Sequence, residues 1–384
     1  MVFNSLSLPL FSPKPLLIYY YSKGNMDIDE RLALVKEVGE EIITEDELKE
    51  LLKEKAHPIA YDGFEPSGTN IHIAQGLLRA ININKMTKAG CKFKILVADW
   101  HAWANNKLDG NLENIQKVGK YLIEVWRACD MDLDNIEFLW VSDLVKDDNY
   151  WKKIMQIARN STVKRITRCA QIMGRKESEA QQASQILYPC MQCADIFHLE
   201  VDITQLGLDQ RKVNMLAREI GPKIGFWKPI VVSHHMLMGL GQPPKSGLSG
   251  AERGIELKMS KSKPDTAIFM TDLAEDIKRK IGKAYCPEGV LLENPILEYC
   301  KYIIFEKCDS IKIKRPEKWG GDLEYNSYEE LEKSFMEKKL HPMDLKQSVA
   351  DSLNEFLEPI RNKLEKNKAT QKLSEEIKDF KVTR

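Results

Sequence analysis

The sequence lacks any uninterrupted apolar run approaching the roughly 18 residues that a membrane-spanning helix needs. It also lacks an excess of either charge, because lysine plus arginine equals aspartate plus glutamate at 57 each. Overall basicity therefore cannot argue for nucleic-acid binding, and any RNA contact must come from a local patch. The eight cysteines lack the dense spacing of a small secreted disulfide scaffold. We expect a soluble protein with reduced thiols.

The length of 384 residues predicts about two domains. The composition, 43% hydrophobic and 30% charged, is that of an ordinary globular protein. Cys190 and Cys193 have the spacing of a redox or zinc motif, but no second pair follows at a zinc-site distance. We interpret these two thiols as packing residues and predict no metal site.

Residues 1–25 contain no acidic residue and several serines, so they faintly resemble an organellar presequence. They contain no arginine, however. An extended or misassigned start, with the folded part beginning at Met26, or a cytosolic tail explains the segment as well, and we favour these interpretations. Residues 1–26 are therefore an extension of uncertain role, and the expected location is the cytoplasm.

Short apolar runs alternate with helical patterns over the first two thirds of the chain. The strand-like runs are 58–61, 93–98, 136–141 and 229–233. The helical patterns are 27–55, 71–89 and 111–129. This alternation predicts an α/β fold with a doubly wound parallel, Rossmann-like sheet.

Two regions depart from the alternation. From residue 150 to 220 the pattern is mostly helical with few strand signals, and we predict a helical insertion at about 150–190. From residue 273 onward the chain has helical spacing, and Ser327 followed by Glu330 matches a capping box. We therefore predict a Rossmann-like catalytic domain at 27–272 and an α-helical domain at 273–384.

Two short segments carry the chemistry: HIAQG at residues 72–76 and KMSKS at residues 258–262. Either alone is typical of an ordinary structural role. Together they suit adenylyl transfer, in which a carboxylate attacks the α-phosphate of ATP and pyrophosphate leaves with developing negative charge. A helix N-terminus after Gly68 would offer N–H groups to phosphate, and Lys258 and Lys261 would neutralise the leaving group.

The chain resembles the class I aminoacyl-tRNA synthetases and, within them, the tyrosyl enzymes of the archaeal and eukaryotic type, over about residues 58–362. The stretches that carry this resemblance are 61–68, 98–102, 188–195, 209–212, 258–262, 283–287, 314–318 and 341–346. The first motif departs from the family's usual His-x-Gly-His form, because Ala74 and Gln75 occupy its third and fourth positions. Gln75 can donate an amide hydrogen to phosphate, but it cannot carry the charge of an imidazole.

The resemblance implies a tyrosine site. Tyr61 and Asp195 would hydrogen-bond the phenolic hydroxyl from two sides, so phenylalanine would leave buried polar groups unpaired. Tyr188, Gln192 and Gln210 would hold the α-amino group. The other residues expected to contact tyrosine are Gly63 and Glu65.

The resemblance also implies ATP as a substrate, with Mg²⁺. The residues expected to be catalytic are His72, Gln75, Lys258 and Lys261. Those expected to bind ATP are Gly68, His72, Gln75, Met259, Ser260, Lys261 and Ser262. The implied reaction is activation of L-tyrosine as its adenylate, followed by transfer to tRNA(Tyr) with release of AMP and pyrophosphate. No nucleophile or general base is expected, since alignment of the reactants supplies much of the rate.

For the RNA partner, the resemblance implies that Arg211 contacts the first base pair of the acceptor stem and that Lys212 meets phosphate. Trp319 and His341 would stack on the first anticodon base, with Asp344 reading its edge. The C-terminal domain would thus bind the anticodon. A homodimer is expected, with the helical insertion at its two-fold interface.

Two other functions are compatible with the pattern. A tryptophanyl enzyme would share the fold and both motifs, but the pair of Tyr61 and Asp195 argues against an indole pocket. A synthetase-like RNA-binding protein without catalysis is the second, and the two lysines of the second motif argue against it. Asp99 and His101 lie where a ligand contact or a structural role is equally expected, so we assign them no function.

Overall fold

The computed structural model describes residues 26–174, 182–248, 250–259 and 263–382, so the predicted extension, apart from Met26, lies outside them. The strands in these ranges are β1 (Gly39–Ile43), β2 (Ile59–Phe64), β3 (Lys92–Val97), β4 (Ile136–Trp140), β5 (Ile203–Gly207), β6 (Ile230–His234), β7 (Ile311–Ile313) and β8 (Leu323–Tyr325). The α-helices are α1 (Ile28–Val38), α2 (Glu45–Glu54), α3 (Arg79–Lys88), α4 (Asp99–Ala104), α5 (Leu112–Ala128), α6 (Val141–Leu144), α7 (Asp148–Arg159), α8 (Val163–Thr167), α9 (Ala183–His198), α10 (Arg211–Ile220), α11 (Gly250–Leu257), α12 (Ala274–Lys283), α13 (Pro295–Tyr299), α14 (Phe305–Lys307), α15 (Tyr328–Met336), α16 (Pro342–Lys366) and α17 (Lys368–Ile377).

The central sheet has the strand order β1-β6-β5-β2-β3-β4. Strands β2 to β6 are parallel, and β1 pairs antiparallel with β6 at one edge. From β2 the chain adds β3 and β4 on one side and then β5 and β6 on the other, so the strand order reverses between β2 and β5. The predicted doubly wound α/β fold is confirmed, and the crevice beyond the carboxyl ends of β2 and β5 is where such a sheet binds ligands.

The predicted helix at 27–55 is wrong in its middle, where β1 separates α1 from α2. The sequence did not predict this strand because it contains Glu40 and Glu41, and acidic side chains are uncommon in strands. At the edge of a sheet, however, a strand can carry charges on its solvent side, and such charges protect the edge from pairing with another chain.

A second strand, β5, interrupts the region for which a helical pattern was predicted. It is buried along its whole length, but Thr204 and Gln205 break up its apolar run. Both side chains find partners: the Thr204 hydroxyl donates to the Ile230 carbonyl at 3.3 Å, and Gln205 Nε2 lies 2.6 Å from His234 Nδ1. A buried strand accepts polar residues when they are paired in this way. The predicted insertion contains α7, α8 and part of α9, and its residues 175–181 lie outside those described.

After residue 273 the chain is mainly helical, as predicted, but β7 and β8 form an antiparallel hairpin that the sequence did not predict. Only half of the predicted capping box forms: Ser327 accepts from the Glu330 N–H, while the Glu330 carboxylate accepts from Asn326. One continuous hydrophobic cluster joins the sheet to the C-terminal helices, with Ile95 and Leu353 among its members. The domain boundary at 272 therefore stays a prediction.

Within the described part of the chain, none of the helices has both the length and the apolar character that crossing a membrane requires.

Candidate active site

A cavity of about 240 Å³ lies beyond the carboxyl ends of β2, β5 and β6. Its wall includes all seven residues expected to contact tyrosine, namely Tyr61, Gly63, Glu65, Tyr188, Gln192, Asp195 and Gln210. His72, Gln75, Lys258 and Met259 of the two motifs lie in the same wall. The fold therefore brings together residues that are up to about two hundred positions apart in the chain.

Tyr61 and Asp195 form the floor of the cavity and are only 2% and 1% exposed. Tyr61 projects from β2, and Asp195 from α9, the helix that precedes β5. The Tyr150 hydroxyl donates to Asp195 Oδ1 at 2.7 Å. Among the described residues, Asp195 Oδ2 has no hydrogen-bond partner, although His101 Nε2 lies 3.1 Å away in poor alignment. One oxygen of a buried carboxylate is thus open to a ligand.

Burial raises the pKa of Tyr61 and of Tyr150 well above the usual tyrosine value, and the negative charge of Asp195 raises both further. Both phenols therefore stay protonated and can act as hydrogen-bond donors at neutral pH. The floor of the cavity combines the carboxylate acceptor of Asp195 with the phenol donor of Tyr61, which is the complement of a hydroxyl group that both donates and accepts.

The remaining tyrosine-site residues line the cavity above this floor. Gln192 Nε2 donates to Gln210 Oε1 at 3.1 Å, so the two amides that were expected to hold the α-amino group do meet. The Tyr188 ring packs edge-on against His101 with centroids 4.8 Å apart. A Cβ atom at Gly63 would lie 2.9 Å from the Tyr61 hydroxyl oxygen, so a larger residue here would crowd that hydroxyl. Glu65 accepts from Asn105 Nδ2 at 2.9 Å.

The first motif is built differently from the prediction. The helix does not start directly after Gly68 but at a π-helical turn, Ala74–Leu78, that leads into α3. His72 lies before this turn in an antiparallel bridge with Phe269, and Ile73 N–H donates to the Ile268 carbonyl at 2.9 Å. Gly68 is buried, and Ser67 beside it lies in the cavity wall. At the start of this turn the N–H groups of Gln75 and Gly76 donate to the His72 carbonyl at 2.9 and 3.0 Å, so the free N–H groups that were expected for phosphate are not found there.

Gln75 stands at the position where the family's usual motif has its second histidine. Its carbonyl oxygen accepts from Trp126 Nε1 at 2.7 Å, which fixes the backbone. Its side-chain Oε1 is buried with no hydrogen-bond partner among the described residues. Gln75 is thus part of the cavity wall, and its side-chain carbonyl oxygen is an unused hydrogen-bond acceptor.

Lys258 enters the cavity from the second motif and is 29% exposed. Its ammonium group lies 2.6 Å from Asp209 Oδ2. Met259, the next residue, is buried, and its N–H donates to the Leu237 carbonyl at 2.8 Å. The other predicted residues of this motif, Ser260, Lys261 and Ser262, lie outside the described residues.

Five charged or titratable wall residues were not predicted: Asp62, Arg79, Asp209, His234 and His235. Arg79 Nε lies 3.0 Å from Asp62 Oδ2. Burial raises the pKa of Asp62 to about 6, even though Arg79 acts in the opposite direction. Burial lowers the pKa of His234 to about 4, so its imidazole is neutral at pH 7. Asp62 and His234 lie near the carboxyl ends of β2 and β6, and the rule that such positions face the ligand could have found both.

Asp99 and His101, to which no function was assigned, differ in their surroundings. Asp99 accepts from the N–H groups of Trp100 and Ser142 and from the Gln116 amide, so both of its oxygens serve the fold. His101 lies in the cavity wall beside Asp195. The structural interpretation therefore suits Asp99, and a site role suits His101.

None of the residues expected to contact RNA lines the cavity, although Arg211 directly follows Gln210 of its wall. Arg211 Nε donates to both carboxylate oxygens of Glu41 at 2.9 and 2.7 Å. The Trp319 side chain is 66% exposed. His341 caps α16 by accepting from the Met343 N–H, and Asp344 lies in the first turn of the same helix. Lys212 lies next to Arg211 at the start of α10.

Comparison with known proteins gives consistent matches over most of the chain. A family model described as tRNA synthetases class I (W and Y) matches residues 53–358. The Arabidopsis thaliana protein named tyrosine–tRNA ligase 1, cytoplasmic, is 50% identical over 361 residues, covering 93% of this chain and 90% of the relative. A tyrosine–tRNA ligase of Sulfurisphaera tokodaii is 44% identical, covering 92% of this chain and 97% of the relative.

Solved structures give the same picture. The tyrosyl-tRNA synthetase of Pyrococcus horikoshii, solved in complex with L-tyrosine, has a TM-score of 0.84 and 39% identity, covering 91% of this chain and 100% of that one. The tryptophanyl-tRNA synthetase of Plasmodium falciparum has a TM-score of 0.65 but only 16% identity, so this likeness concerns the fold alone.

Proposed function

The chain belongs to the class I tRNA synthetases of the tryptophan and tyrosine group, and from this membership we infer that it catalyses tyrosine–tRNA ligation. It activates L-tyrosine with ATP to form tyrosyl-adenylate and pyrophosphate, and then transfers tyrosine to tRNA(Tyr) with release of AMP. We further propose which residues carry out each part of this reaction.

The observation that carries the choice of tyrosine is the open oxygen of Asp195 on the cavity floor. The substrate hydroxyl would donate to Asp195 Oδ2 and accept from Tyr61, while Tyr150 holds the other carboxylate oxygen at 2.7 Å. Phenylalanine would leave these buried groups unpaired, and the indole of tryptophan presents a donor without an acceptor. Tyrosyl enzymes of this family are themselves the standard example of such discrimination, on the order of 10⁵-fold against phenylalanine, so that magnitude is borrowed from them.

Above the floor, Tyr188, Gln192 and Gln210 would hold the α-amino group, and Glu65 would complete this part of the wall. Their neutral oxygens and the Glu65 carboxylate suit an ammonium group. Fixing the amino group and the phenol sets the direction of the substrate carboxylate toward the α-phosphate of ATP. Such alignment converts a two-body encounter into a nearly unimolecular step.

At the nucleotide end, His72 and Gln75 would donate hydrogen bonds to phosphate, and Lys258 would neutralise the leaving pyrophosphate together with Lys261. The 2.6 Å contact between Lys258 and Asp209 supports a role in which the ammonium is held ready in the cavity. Gly68, Met259, Ser260 and Ser262 would provide further ATP contacts.

We also propose that ATP enters with Mg²⁺, which prefers phosphate and water oxygens with few protein carboxylates. The two carboxylates in this part of the wall, Asp62 and Asp209, are each paired with a cation, Arg79 and Lys258 respectively. The ion would therefore be held chiefly by the phosphates, whose charge it would help to neutralise.

For tRNA(Tyr), we propose the contacts that the resemblance implies: Arg211 and Lys212 at the acceptor stem, and Trp319, His341 and Asp344 at the anticodon. The exposed ring of Trp319 supports this assignment, because an exposed aromatic face is what an unstacked base needs. The pairing of Arg211 with Glu41 would have to open when RNA binds. The portion from residue 273 would then be the anticodon-binding domain.

We also propose that the chain forms a homodimer with the predicted insertion at its interface. A surface patch of exposed aromatic and apolar side chains supports this proposal. Trp103, Trp151 and Met155 are exposed, and Trp100 contacts both tryptophans. Exposed apolar patches of this kind usually mark protein interfaces. Sedimentation velocity at micromolar concentration tests this proposal, and a monomer with normal activity would contradict it.

We also propose the cytoplasm as the location, in line with the name of the Arabidopsis thaliana relative.

The function is tested by pyrophosphate exchange into ATP with tyrosine, tryptophan or phenylalanine as the only amino acid. We expect exchange with tyrosine and none with equal concentrations of the other two. Exchange driven by tryptophan would favour the tryptophanyl alternative, and no exchange with any amino acid would favour an RNA-binding protein without catalysis.

A further inference from the structure

Two neighbouring residues of α13, in the C-terminal region, hold both backbone polar groups of Met238. Glu298 Oε2 accepts from the Met238 N–H at 2.9 Å, and the Tyr299 hydroxyl donates to the Met238 carbonyl at 3.2 Å. Met238 and Tyr299 are buried, and Glu298 is 20% exposed. The segment after β6 is thus fixed by side chains about sixty residues further along the chain.

Met238 is also the residue that pairs with the second motif. It forms an antiparallel bridge with Lys258, in which Gly239 N–H donates to the Leu257 carbonyl at 3.0 Å and Met259 N–H to the Leu237 carbonyl at 2.8 Å. These two hydrogen bonds set the position from which the Lys258 side chain reaches into the cavity. Glu298 and Tyr299 of the C-terminal region therefore bond to Met238, the residue paired with Lys258, and their link to Lys258 is indirect.

A charged cluster strengthens the same connection. Glu298 Oε2 lies 3.0 Å from His235 Nε2, and His235 Nδ1 lies 3.0 Å from Glu40 Oε2 in β1. The imidazole also stacks on Tyr302, with centroids 4.2 Å apart and the planes 9° from parallel. Although burial lowers the pKa of His235, its hydrogen bonds to Glu298 and Glu40 raise it to about 9. At neutral pH the imidazolium ties the sheet edge, the cavity wall and α13 together.

We propose that Glu298 and Tyr299 are positioning residues for adenylate formation, acting through Met238 on the placement of Lys258. Neither residue lies in the cavity wall, and His235, Leu237 and Lys258 do. A lysine side chain is flexible, so the location of its charge depends on where its backbone is held. The inference rests on the proposed role of Lys258 toward pyrophosphate.

The test uses the full chain with Glu298→Ala, Glu298→Gln and Tyr299→Phe, and measures tyrosine-dependent pyrophosphate exchange. Glu298→Ala leaves the buried Met238 N–H unpaired, and we expect kcat/KM for ATP to fall roughly tenfold, as for loss of a hydrogen bond to a charged group. The KM for tyrosine should change less than about twofold, because the floor of the cavity is on other elements. Glu298→Gln keeps an oxygen for Met238 and should recover most of the activity. Tyr299→Phe should reduce kcat/KM for ATP less than Glu298→Ala does.

Glu306→Ala provides a matched control. Glu306 follows α13 by a few residues, has a similar exposure of 28%, and pairs with Lys85 of α3 at 2.7 Å, so it also joins the C-terminal helices to the sheet domain. We expect this variant to lower the melting temperature about as much as Glu298→Ala while leaving the ATP dependence unchanged. Equal changes in the KM for ATP and for tyrosine in Glu298→Ala, or equal kinetics in the two variants, would overturn the inference.

The outcome also separates this inference from the function itself. If the parent chain shows no amino-acid-dependent exchange, the proposed function fails. If the parent exchanges with tyrosine and Glu298→Ala retains its kcat/KM for ATP, the function stands and the positioning role fails.

Discussion

The two ends of the crevice, which we propose hold the amino acid and the nucleotide, are built in different ways. At the amino-acid end, Tyr61, Tyr150 and Asp195 come from regular elements, β2, α7 and α9, and all three are buried. At the nucleotide end, His72 and Lys258 come from bridges between elements, and Lys258 is partly exposed. An enzyme that selects its substrate by a hydroxyl group requires buried, fixed hydrogen-bond partners for that group. An unpaired polar group costs the most free energy when it is buried. Release of a charged leaving group requires access to water and a cation on a movable chain.

Asp195→Asn, at the buried end, should have the strongest effect on the difference between the two ends. The asparagine amide keeps one oxygen that can accept from Tyr150. Its N–H₂ group takes the place of the open acceptor, and the negative charge of the carboxylate is lost. We expect kcat/KM for tyrosine to fall on the order of 10³-fold, since a charged buried hydrogen bond is lost and a donor is left unpaired. The KM for ATP should remain near that of the parent. Steady-state pyrophosphate exchange with varied tyrosine and varied ATP measures both constants.

Asp99→Asn is the matched control for that variant, because Asp99 is also a buried carboxylate near the cavity but bonds only to groups of the chain itself. It should lower the melting temperature and leave the KM for tyrosine within about threefold of the parent. A tyrosine defect as large as that of Asp195→Asn would mean that general disruption of this wall, and not loss of the phenol contact, explains the result.

At the exposed end, Lys258→Ala should act on the rate and not on tyrosine recognition. Removing one preorganised charge from a leaving group typically costs on the order of 10²-fold in kcat. We expect that loss in pyrophosphate exchange, with the KM for tyrosine unchanged. Lys263→Ala, which removes an exposed lysine just beyond the second motif, should leave exchange within about twofold. If Lys258→Ala raised the KM for tyrosine instead, the two ends would not be separable in the way the structure suggests.

The same contrast explains what the sequence could predict. Six strand and helix patterns of the sheet domain were correct because apolar runs and helical periodicity are local, and the motifs were recognised because their residues are contiguous. The strands β1 and β5 were missed because Glu40, Glu41, Thr204 and Gln205 disrupt the local pattern, and their partners lie on distant strands.

Within the site, all seven residues assigned to tyrosine line one cavity, but their partners could not be read from the sequence. Tyr150 lies 45 positions before Asp195, in a stretch assigned to the insertion, and only the packing of α7 against α9 brings them together. The pairing of Lys258 with Asp209 and of Arg79 with Asp62 likewise depends on how turns and bridges close the crevice. The helix that follows His72 was predicted to start at residue 71 but starts at residue 74, because its π-helical turn has no local sequence signal.

Tyr150→Phe should have the mildest effect of these variants. It changes only how Asp195 is held and removes no contact to the substrate. The ring stays, while the 2.7 Å hydrogen bond to Asp195 Oδ1 is lost. We expect the KM for tyrosine to rise about tenfold, because the carboxylate loses the group that orients it, with little change in kcat. The KM for ATP should be unaffected, as Tyr150 does not line the cavity in which the motif residues lie. Activity should therefore recover at saturating tyrosine; a fall in kcat that saturation does not relieve would place Tyr150 in a role beyond orientation of Asp195.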